Sequence, residues 1–276
     1  MKKSGIILIG LLLIGMSLQA QKIYVRAGLG AAVTTAANII GDNTMTNDGT
    51  DKVTTKKAGL GTGLPFVLAA GYKLHENFFV ELGIDYFYGF SIKSKDVYPT
   101  YYPSSSIDSK WHGQMLSIVP AVVMTFAINK IHPYARLGLK LGVLNSVVYN
   151  DTEIKSAPER AGESTHESKS KDYGGIALGV QAALGTDYAI SDKISLFGEI
   201  QVDGISYSPK HGKYLEYSID GVDQMGNRTV NQNEWDYLKD VDYTKNITAD
   251  QPDEASRVNH RFGNVGLVIG VKYTIK

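Results

Sequence analysis

The stretch FFVELGIDYFYGF, from Phe78 to Phe90, decides the fold class because its apolar residues recur with a period of two. Every even-numbered position in it carries a large apolar side chain, whereas the odd-numbered positions include Glu81, Gly83 and Asp85. Successive side chains of a β-strand point to opposite faces of the sheet. The pattern therefore predicts a strand with one apolar face and one face of small or charged residues.

The same alternation recurs along the chain and predicts eight strands, joined by three short turns and four long polar segments. Short turns at one end and long loops at the other favour an all-β fold: an eight-stranded antiparallel up-and-down transmembrane β-barrel with four long extracellular loops. The predicted strands are Lys22–Val33, Gly59–Leu74, Phe78–Phe90, Trp111–Phe126, His132–Val148, Asp172–Tyr188, Lys193–Tyr207 and Val258–Ile275.

Composition and the first residues bound the class of protein. The 276 residues include no cysteine, so neither a disulfide framework nor a thiolate metal site is expected, and the net charge of +0 does not indicate a nucleic-acid partner. A lysine pair precedes the uncharged run from Ile6 to Met16, which is shorter than the roughly 20 residues of a membrane-spanning helix. We therefore expect a signal peptide at residues 1–20, cleaved near Ala20, and a barrel at residues 21–276.

Ten charged residues fall on the non-apolar faces of the predicted strands, and the five acids match the five bases in number. The interior of an eight-stranded barrel is narrow enough for side chains to fill, and an unpaired buried charge is costly. We therefore expect these residues to pair and plug the lumen; a narrow ion path is the alternative. The predicted lumen charges are Arg26, Lys73, Glu81, Asp85, Arg136, Lys140, Asp187, Glu199, Asp203 and Lys272.

Five aromatic residues indicate which face of the barrel meets lipid. A soluble lipocalin-like barrel would turn its apolar face inward around a ligand, but these rings lie on the apolar face next to the short turns. Rings at one level are typical of the aromatic girdle at a membrane interface. We therefore expect the apolar face to point outward, with a periplasmic girdle made of Tyr72, Phe78, Phe126, Tyr188 and Tyr273.

The segments IVPA at 118–121 and HPYARLG at 132–138 place a short turn between two strands, with Pro-Tyr and a glycine at the start of the second. This pattern resembles the small outer-membrane β-barrel superfamily, the OmpA-like, OmpX-like and OmpW-like porin family. The resemblance implies an integral outer-membrane protein of a Gram-negative bacterium, a monomer surrounded by lipid and lipopolysaccharide, and no particular activity. Family members often end on an aromatic residue, whereas this chain ends on Lys276, and we expect no peptidoglycan-binding domain after the barrel.

The polar residues expected near the outer rim do not form a known catalytic or metal motif. His112, His211 and His260 would lie where outer-membrane proteases and lipases place acid–base groups, but Gly-x-Ser-x-Gly and His-Glu-x-x-His are both absent from the sequence. The acids between Glu234 and Asp242 lack the spacing of a calcium-binding loop. We therefore expect no enzyme, no metal and no cofactor, with a rim enzyme acting on lipid or peptide as the weakest alternative.

The segment Pro209–Arg257 is the longest of the four loops and carries most of the loop aromatics. Loops of this length are usually functional or disordered, and Tyr and Trp dominate binding hot spots. We expect the loop to be partly ordered as extensions of the seventh and eighth strands and to bind an extracellular protein or glycan, unless its aromatics only pack on neighbouring loops. The function is then structural or adhesin-like; a narrow channel for small ionic or apolar solutes is the alternative. The binding candidates are Tyr214, Tyr217, Trp235, Tyr237 and Tyr243.

Overall fold

The computed structural model describes residues 23–35, 38–45, 51–98, 104–156, 162–242, 244 and 246–275, with the backbone alone at 38–45, 51–58, 98 and 104. The expected signal peptide and the binding candidate Tyr243 lie outside the described residues. The strands are β1 (Ile23–Thr34), β2 (Asn38–Met45), β3 (Asp51–Ala58), β4 (Gly63–His75), β5 (Phe78–Gly89), β6 (Ile92–Tyr98), β7 (Ser104–Thr125), β8 (Ile131–Ser156), β9 (Glu163–Tyr173), β10 (Ala177–Ala189), β11 (Ile194–Tyr207), β12 (His211–Ile219), β13 (Val222–Asp223), β14 (Glu234–Leu238), β15 (Asp253–Ser256), β16 (His260–Arg261) and β17 (Asn264–Ile275).

Eight of these strands close into an antiparallel ring in the order β1, β4, β5, β7, β8, β10, β11 and β17. The ring closes because β17 returns to β1, in unbroken register from Ile23 opposite Ile275 to Thr34 opposite Asn264. The predicted all-β fold with an eight-stranded antiparallel barrel is therefore confirmed.

Four predicted strand starts were wrong. The second strand begins at Gly63 and not at Gly59, and the fourth begins at Ser104 and not at Trp111. The sixth strand begins at Ala177 and not at Asp172, because Gly174 and Gly175 adopt positive φ angles of 77° and 80° and interrupt the strand. The eighth begins at Asn264 and not at Val258.

The apolar face of each barrel strand points away from the lumen. Leu137, Leu178 and Leu184 are 65%, 69% and 70% exposed, whereas Arg136 and Ala183 next to them in the chain are 3% and 4% exposed. The described strands form one sheet, and no second layer of the described chain covers these side chains. This orientation contradicts the lipocalin-like alternative and leaves an outward apolar belt.

Two barrel strands are far longer than a membrane requires. β7 has 22 residues and β8 has 26, whereas about 9–11 residues suffice for a spanning strand. Their upper halves continue above the barrel and pair with β6 on one side and β9 on the other, after which β12, β14 and β15 follow. We call this assembly of β6, the upper parts of β7 and β8, β9, β12, β14 and β15 the rim sheet.

The expectation that the last long loop extends the seventh and eighth strands was wrong for most of the loop. Among the described residues, β11 and the chain before β17 pair above the barrel only at Ser206–Arg261 and Tyr207–His260. The ordered part of the loop is β12, which pairs instead with β9, from His211 opposite Tyr173 onward. The free edge of β9 offers a row of unpaired backbone groups, and β12 satisfies them.

Helices are a minor part of the described chain. A 3₁₀ turn spans Met225–Asn227, and the single α-helix, α1, spans Val230–Asn233 after a capping box formed by Thr229 and Gln232. Among the described residues, no helix is long and apolar enough to cross a membrane.

Candidate functional site

Two arginines and two glutamates form a closed cycle of charges at mid-height in the lumen. Arg26 Nε lies 3.0 Å from Glu81 Oε2, and Arg26 Nη1 donates to Glu199 Oε2 at 2.9 Å. Arg136 Nη2 donates to Glu199 Oε1 at 2.5 Å, and its Nη1 lies 3.7 Å from Glu81 Oε1. All four side chains are buried. Each charge therefore has two neighbours of opposite sign, which offsets the cost of removing it from water.

Tyrosine hydroxyls complete this cycle, and they were not among the predicted lumen residues. Tyr24 donates to Glu81 Oε2 and Tyr134 donates to Glu199 Oε2, both at 2.7 Å. Tyr24 precedes Arg26 by two positions and Tyr134 precedes Arg136 by two, so their inward direction follows from the alternation of the strand. They were missed because only charged residues were collected for the lumen.

A second cluster of charges is centred on Lys140. Its Nζ donates to Asp203 Oδ2 at 2.6 Å and to Asp85 Oδ2 at 3.4 Å. Gln181, which was also not predicted as a lumen residue, donates to Asp85 Oδ2 at 2.6 Å and accepts a hydrogen bond from Arg136. The amide thus joins the two clusters into one network, and Gln201 extends it by donating to Asp203.

The remaining predicted lumen charges lie toward the short turns. Lys272 Nζ donates to Asp187 Oδ2 at 2.6 Å. Lys73 is half-buried and makes no ion pair with any carboxylate of the described chain. Lys73, Asp187 and Lys272 all line a cavity of about 670 Å³ that opens at this end of the barrel. The structure thus brings nine of the ten predicted residues into ion pairs and leaves Lys73 at the mouth.

The opposite end of the lumen is filled by apolar side chains. Phe262, which precedes β17, is 1% exposed, and its ring packs on Phe87 and Tyr207 at centroid distances of 6.3 Å. A Cβ atom on Gly113 would lie 2.5 Å from the Phe262 ring, so glycine is needed there to admit the ring. We call this cluster the apolar plug; it comprises Ala32, Leu60, Phe87, Met115, Val147, Ala177, Ile205, Tyr207 and Phe262.

A buried carboxylate, Asp172 of β9, connects three other strands just above the apolar plug, namely β8, β14 and β16. Tyr149 donates to its Oδ2 at 3.1 Å, Tyr237 donates to its Oδ1 at 3.0 Å, and His260 Nε2 lies 3.3 Å from Oδ2. The pKa of the Tyr149 hydroxyl and that of the Tyr237 hydroxyl are raised above the usual tyrosine range. Burial is the larger cause, and the negative charge of Asp172 is the second. The binding candidate Tyr237 is thus engaged inside the protein.

Three more binding candidates form a cluster with an arginine on the inner face of the rim sheet. The ring of Tyr214 packs edge-on against Trp235 and Tyr217, at centroid distances of 5.4 and 6.1 Å. The guanidinium of Arg228 lies 4.9 Å from the Tyr214 ring centroid and 4.4 Å from that of Tyr217. A β-bulge at Leu215 brings Tyr214 and Tyr217 to the same face, although they are three positions apart.

The rim histidines lie apart from one another. His211 Nδ1 is 2.7 Å from Asp236 Oδ1, His260 contacts Asp172, and the His112 ring packs beside Tyr88 at 5.8 Å. The part of the chain that the structure describes has no group of three or more His, Asp or Glu that could hold a metal ion.

The five predicted girdle residues encircle the barrel near the short turns. Tyr72 is half-buried, and the other four, Phe78, Phe126, Tyr188 and Tyr273, are exposed on the outward face. Aromatic side chains in this position suit a membrane interface.

Comparison with known proteins identifies a family. A model of the outer membrane protein β-barrel domain matches residues 6–231, which is well over half of the chain. Among solved structures, the chain is similar to Neisserial surface protein A (NspA), with 12% identity, coverage of 92% of this chain and 97% of that chain, and a TM-score of 0.34. It is also similar to Ail, the attachment invasion locus protein of Yersinia pestis, with 10% identity, coverage of 92% and 97%, and a TM-score of 0.32. A comparison with curated proteins gave no significant match.

Proposed function

Because the chain belongs to the outer membrane protein β-barrel domain family, we propose that its barrel is a closed support that displays the rim sheet on the surface of a Gram-negative bacterium. The short turns face the periplasm and the long loops face outward, as in barrels of this class. In this proposal the signal peptide is removed near Ala20, and the mature protein is a monomer surrounded by lipid and lipopolysaccharide. Its role is structural or adhesin-like and not enzymatic, and it needs no cofactor.

The observation that carries the closed barrel is the double obstruction of the lumen. The paired charges around Arg26, Arg136 and Lys140 occupy mid-height, and the apolar plug fills the outer end. An ion crossing this path would have to separate buried charge pairs and then pass an apolar constriction, and both steps are costly.

Conductance across planar lipid bilayers tests this proposal. The refolded protein should give no stable conductance steps, and neither should a control variant, Leu184→Ala, changed only on the lipid-facing surface. The narrow channel is the second candidate because the cavity of about 670 Å³ opens the periplasmic half of the lumen. Reproducible steps that are lost when Lys140 is replaced by Met would favour that channel and overturn the closed barrel.

We propose that the surface interaction uses the outer part of the last loop. Tyr214, Trp235 and Tyr237 hold this loop together, whereas Tyr217 also lines a surface cavity of about 450 Å³ with Leu215 and Met225. Polar and acidic side chains together with Lys169 complete the lining of this cavity, and such a mixture suits a protein or glycan ligand. The cavity residues, and not the internal aromatics, would then contact the ligand.

Adhesion of whole cells tests the loop. Replacing residues from Gly212 to Asp253 with a short linker should abolish adhesion, while the barrel still inserts and migrates differently on gels before and after heating. Leu215→Ser should weaken adhesion, whereas Val222→Ser, an exposed control outside the cavity, should not. Loss of insertion in the deletion variant would mean that the loop is part of the fold and would contradict its assignment as a binding element.

A further inference from the structure

The outward face of the rim sheet carries two rows of basic residues directly above the apolar belt. Residues directly opposite each other in antiparallel strands share a face, so the strand register identifies each row. The upper row runs through Lys93, Lys110, Asn150, Lys169 and Glu216. The lower row runs through His112, Val148, Lys171, Lys213 and Glu234. We call the six basic residues of these rows the basic patch.

Two carboxylates compensate only part of this charge. Lys169 pairs with Glu216 at 2.9 Å, and Lys213 lies opposite Glu234 in the register. Lys93, Lys110 and Lys171 make no ion pair with any described carboxylate. The patch therefore has a surplus of three lysine charges.

Lysines lie directly opposite one another in both rows. Lys93 faces Lys110, and Lys171 faces Lys213, in direct cross-strand positions. Like charges in such positions destabilise a sheet. An anion bound between them would remove this repulsion.

The excess of positive charge is confined to these two rows. The row below contains Tyr88, Gln114, Ser146 and Tyr173, and the next contains Leu116 and Leu144 of the apolar belt. In the row above the patch, Lys95 pairs with Asp108 and Glu167 adds a further acid. The positive charge thus begins where the aromatic and aliphatic surface ends, at the level of lipid headgroups.

We propose that the basic patch binds the phosphate groups of a lipid of the outer leaflet, the phosphorylated glycolipid lipopolysaccharide. Lysine is a suitable point charge for phosphate, and the lysines of one row are close enough to converge on a single headgroup. The acyl chains of such a lipid would lie along the outward apolar belt below the patch. This inference deepens the lipid partner of the proposed function and rests on the orientation of the barrel. Lys169 also lines the loop cavity, so the test below uses only patch lysines outside that cavity.

Binding of fluorescent bisphosphorylated lipid A to the protein in neutral detergent micelles tests this inference. A triple variant in which Gln replaces Lys93, Lys110 and Lys171 should bind lipid A more weakly, on the order of tenfold or more. Each lysine near an anionic surface contributes to the binding free energy. A matched variant, K130Q/K193Q/K239Q, removes the same charge from exposed sites outside the patch and should bind like the wild type. The variant K93R/K110R/K171R keeps the charge and should retain binding.

Three outcomes would overturn the inference. The glutamine variant could bind lipid A as tightly as the wild type, or dephosphorylated lipid A could bind as tightly as the bisphosphorylated form, which would assign affinity to acyl chains alone. Inorganic phosphate that displaces lipid A at equal concentration would indicate a site for the free anion. The heat-dependent gel shift shows whether each variant is folded. The cell-adhesion assay with Leu215→Ser, which leaves the basic patch unchanged, reports the loop function separately.

Discussion

At the scale of single residues, the lumen is stabilised by pairing and not by charge count alone. Glu81 accepts a hydrogen bond from Tyr24 and lies beside Arg26 and Arg136, so three inward side chains depend on one carboxylate. Removing one partner of a buried ion pair leaves the other charge without compensation.

Replacing Glu81 with Ala should therefore destabilise the barrel by about 3 kcal/mol or more. The free energy of unfolding in urea with detergent measures this change. Lys73→Ala is the matched control because Lys73 makes no ion pair within the described chain, and it should cost less than about 1 kcal/mol. Equal stability of the Glu81 variant and the wild type would indicate a hydrated lumen in which water replaces the lost partner.

A second residue-scale prediction concerns alkaline pH. The pKa of Tyr149 and of Tyr237 is raised in the folded protein by burial and then by Asp172. A raised folded pKa gives stability that is complete below the unfolded value of about 10 and is lost as the pH rises above it. The free energy of unfolding should fall above about pH 10, and it should fall less in the variant Y149F/Y237F, which has no phenol to ionise at either site. Identical alkaline profiles for the two proteins would contradict this account.

The alternation of side chains predicts which residues of the lumen point inward, but not which of them meet. Arg26 on β1 bonds to Glu199 on β11 across the lumen, with β17 between the two strands. Such a contact depends on the stagger of strands around the closed ring, which no local pattern records. The apolar plug was missed because only charged residues were collected for the lumen, although Phe262 falls on the same face of the predicted eighth strand as Asn264 and Gly266.

At the scale of elements, the barrel strands follow from the sequence and the rim sheet does not. β5 and β11 alternate between large apolar and small or polar residues and begin and end within a residue or two of the predicted bounds. β9, with the sequence ESTHESKSKDY, is polar on both faces, so periodicity gives no signal. Its pairing with β8 and β12 is what orders it.

One glycine decides how the last loop packs on this sheet. A Cβ atom on Gly212 would lie 2.1 Å from the Trp235 ring. Gly212→Val should therefore displace Trp235 and loosen β14 from β12, which faster proteolysis of the loop would report. Gly226→Val is the control because nothing lies within 4 Å of a Cβ atom built there. Equal proteolysis of both variants would show that Trp235 does not hold the loop.

At the scale of the whole molecule, the position of the apolar surface determines where the protein resides. The outward leucines and the aromatic girdle would be exposed to water in a soluble protein, whereas lipid covers them in a membrane. The charges that make the same strands look polar are hidden inside the ring.

We therefore expect the mature protein to fractionate with the outer membrane and to run faster on gels unheated than boiled. A closed ring of hydrogen-bonded strands has no free edge at which detergent can open it, so heat is needed to unfold the chain. Recovery from the soluble periplasmic fraction, with no heat-dependent shift, would contradict the membrane barrel.

The pairing of β1 with β17 also determines how the protein must be made. It joins segments from opposite ends of the folded chain, so the contact order is high. The chain loses much conformational entropy when the two strands meet, before the hydrogen bonds between them form. Until β17 pairs with it, one edge of β1 has unpaired backbone N–H and C=O groups, which can pair with other chains. Biogenesis should therefore be slow and sensitive to aggregation, and it should depend on a carrier that shields both terminal strands until they meet.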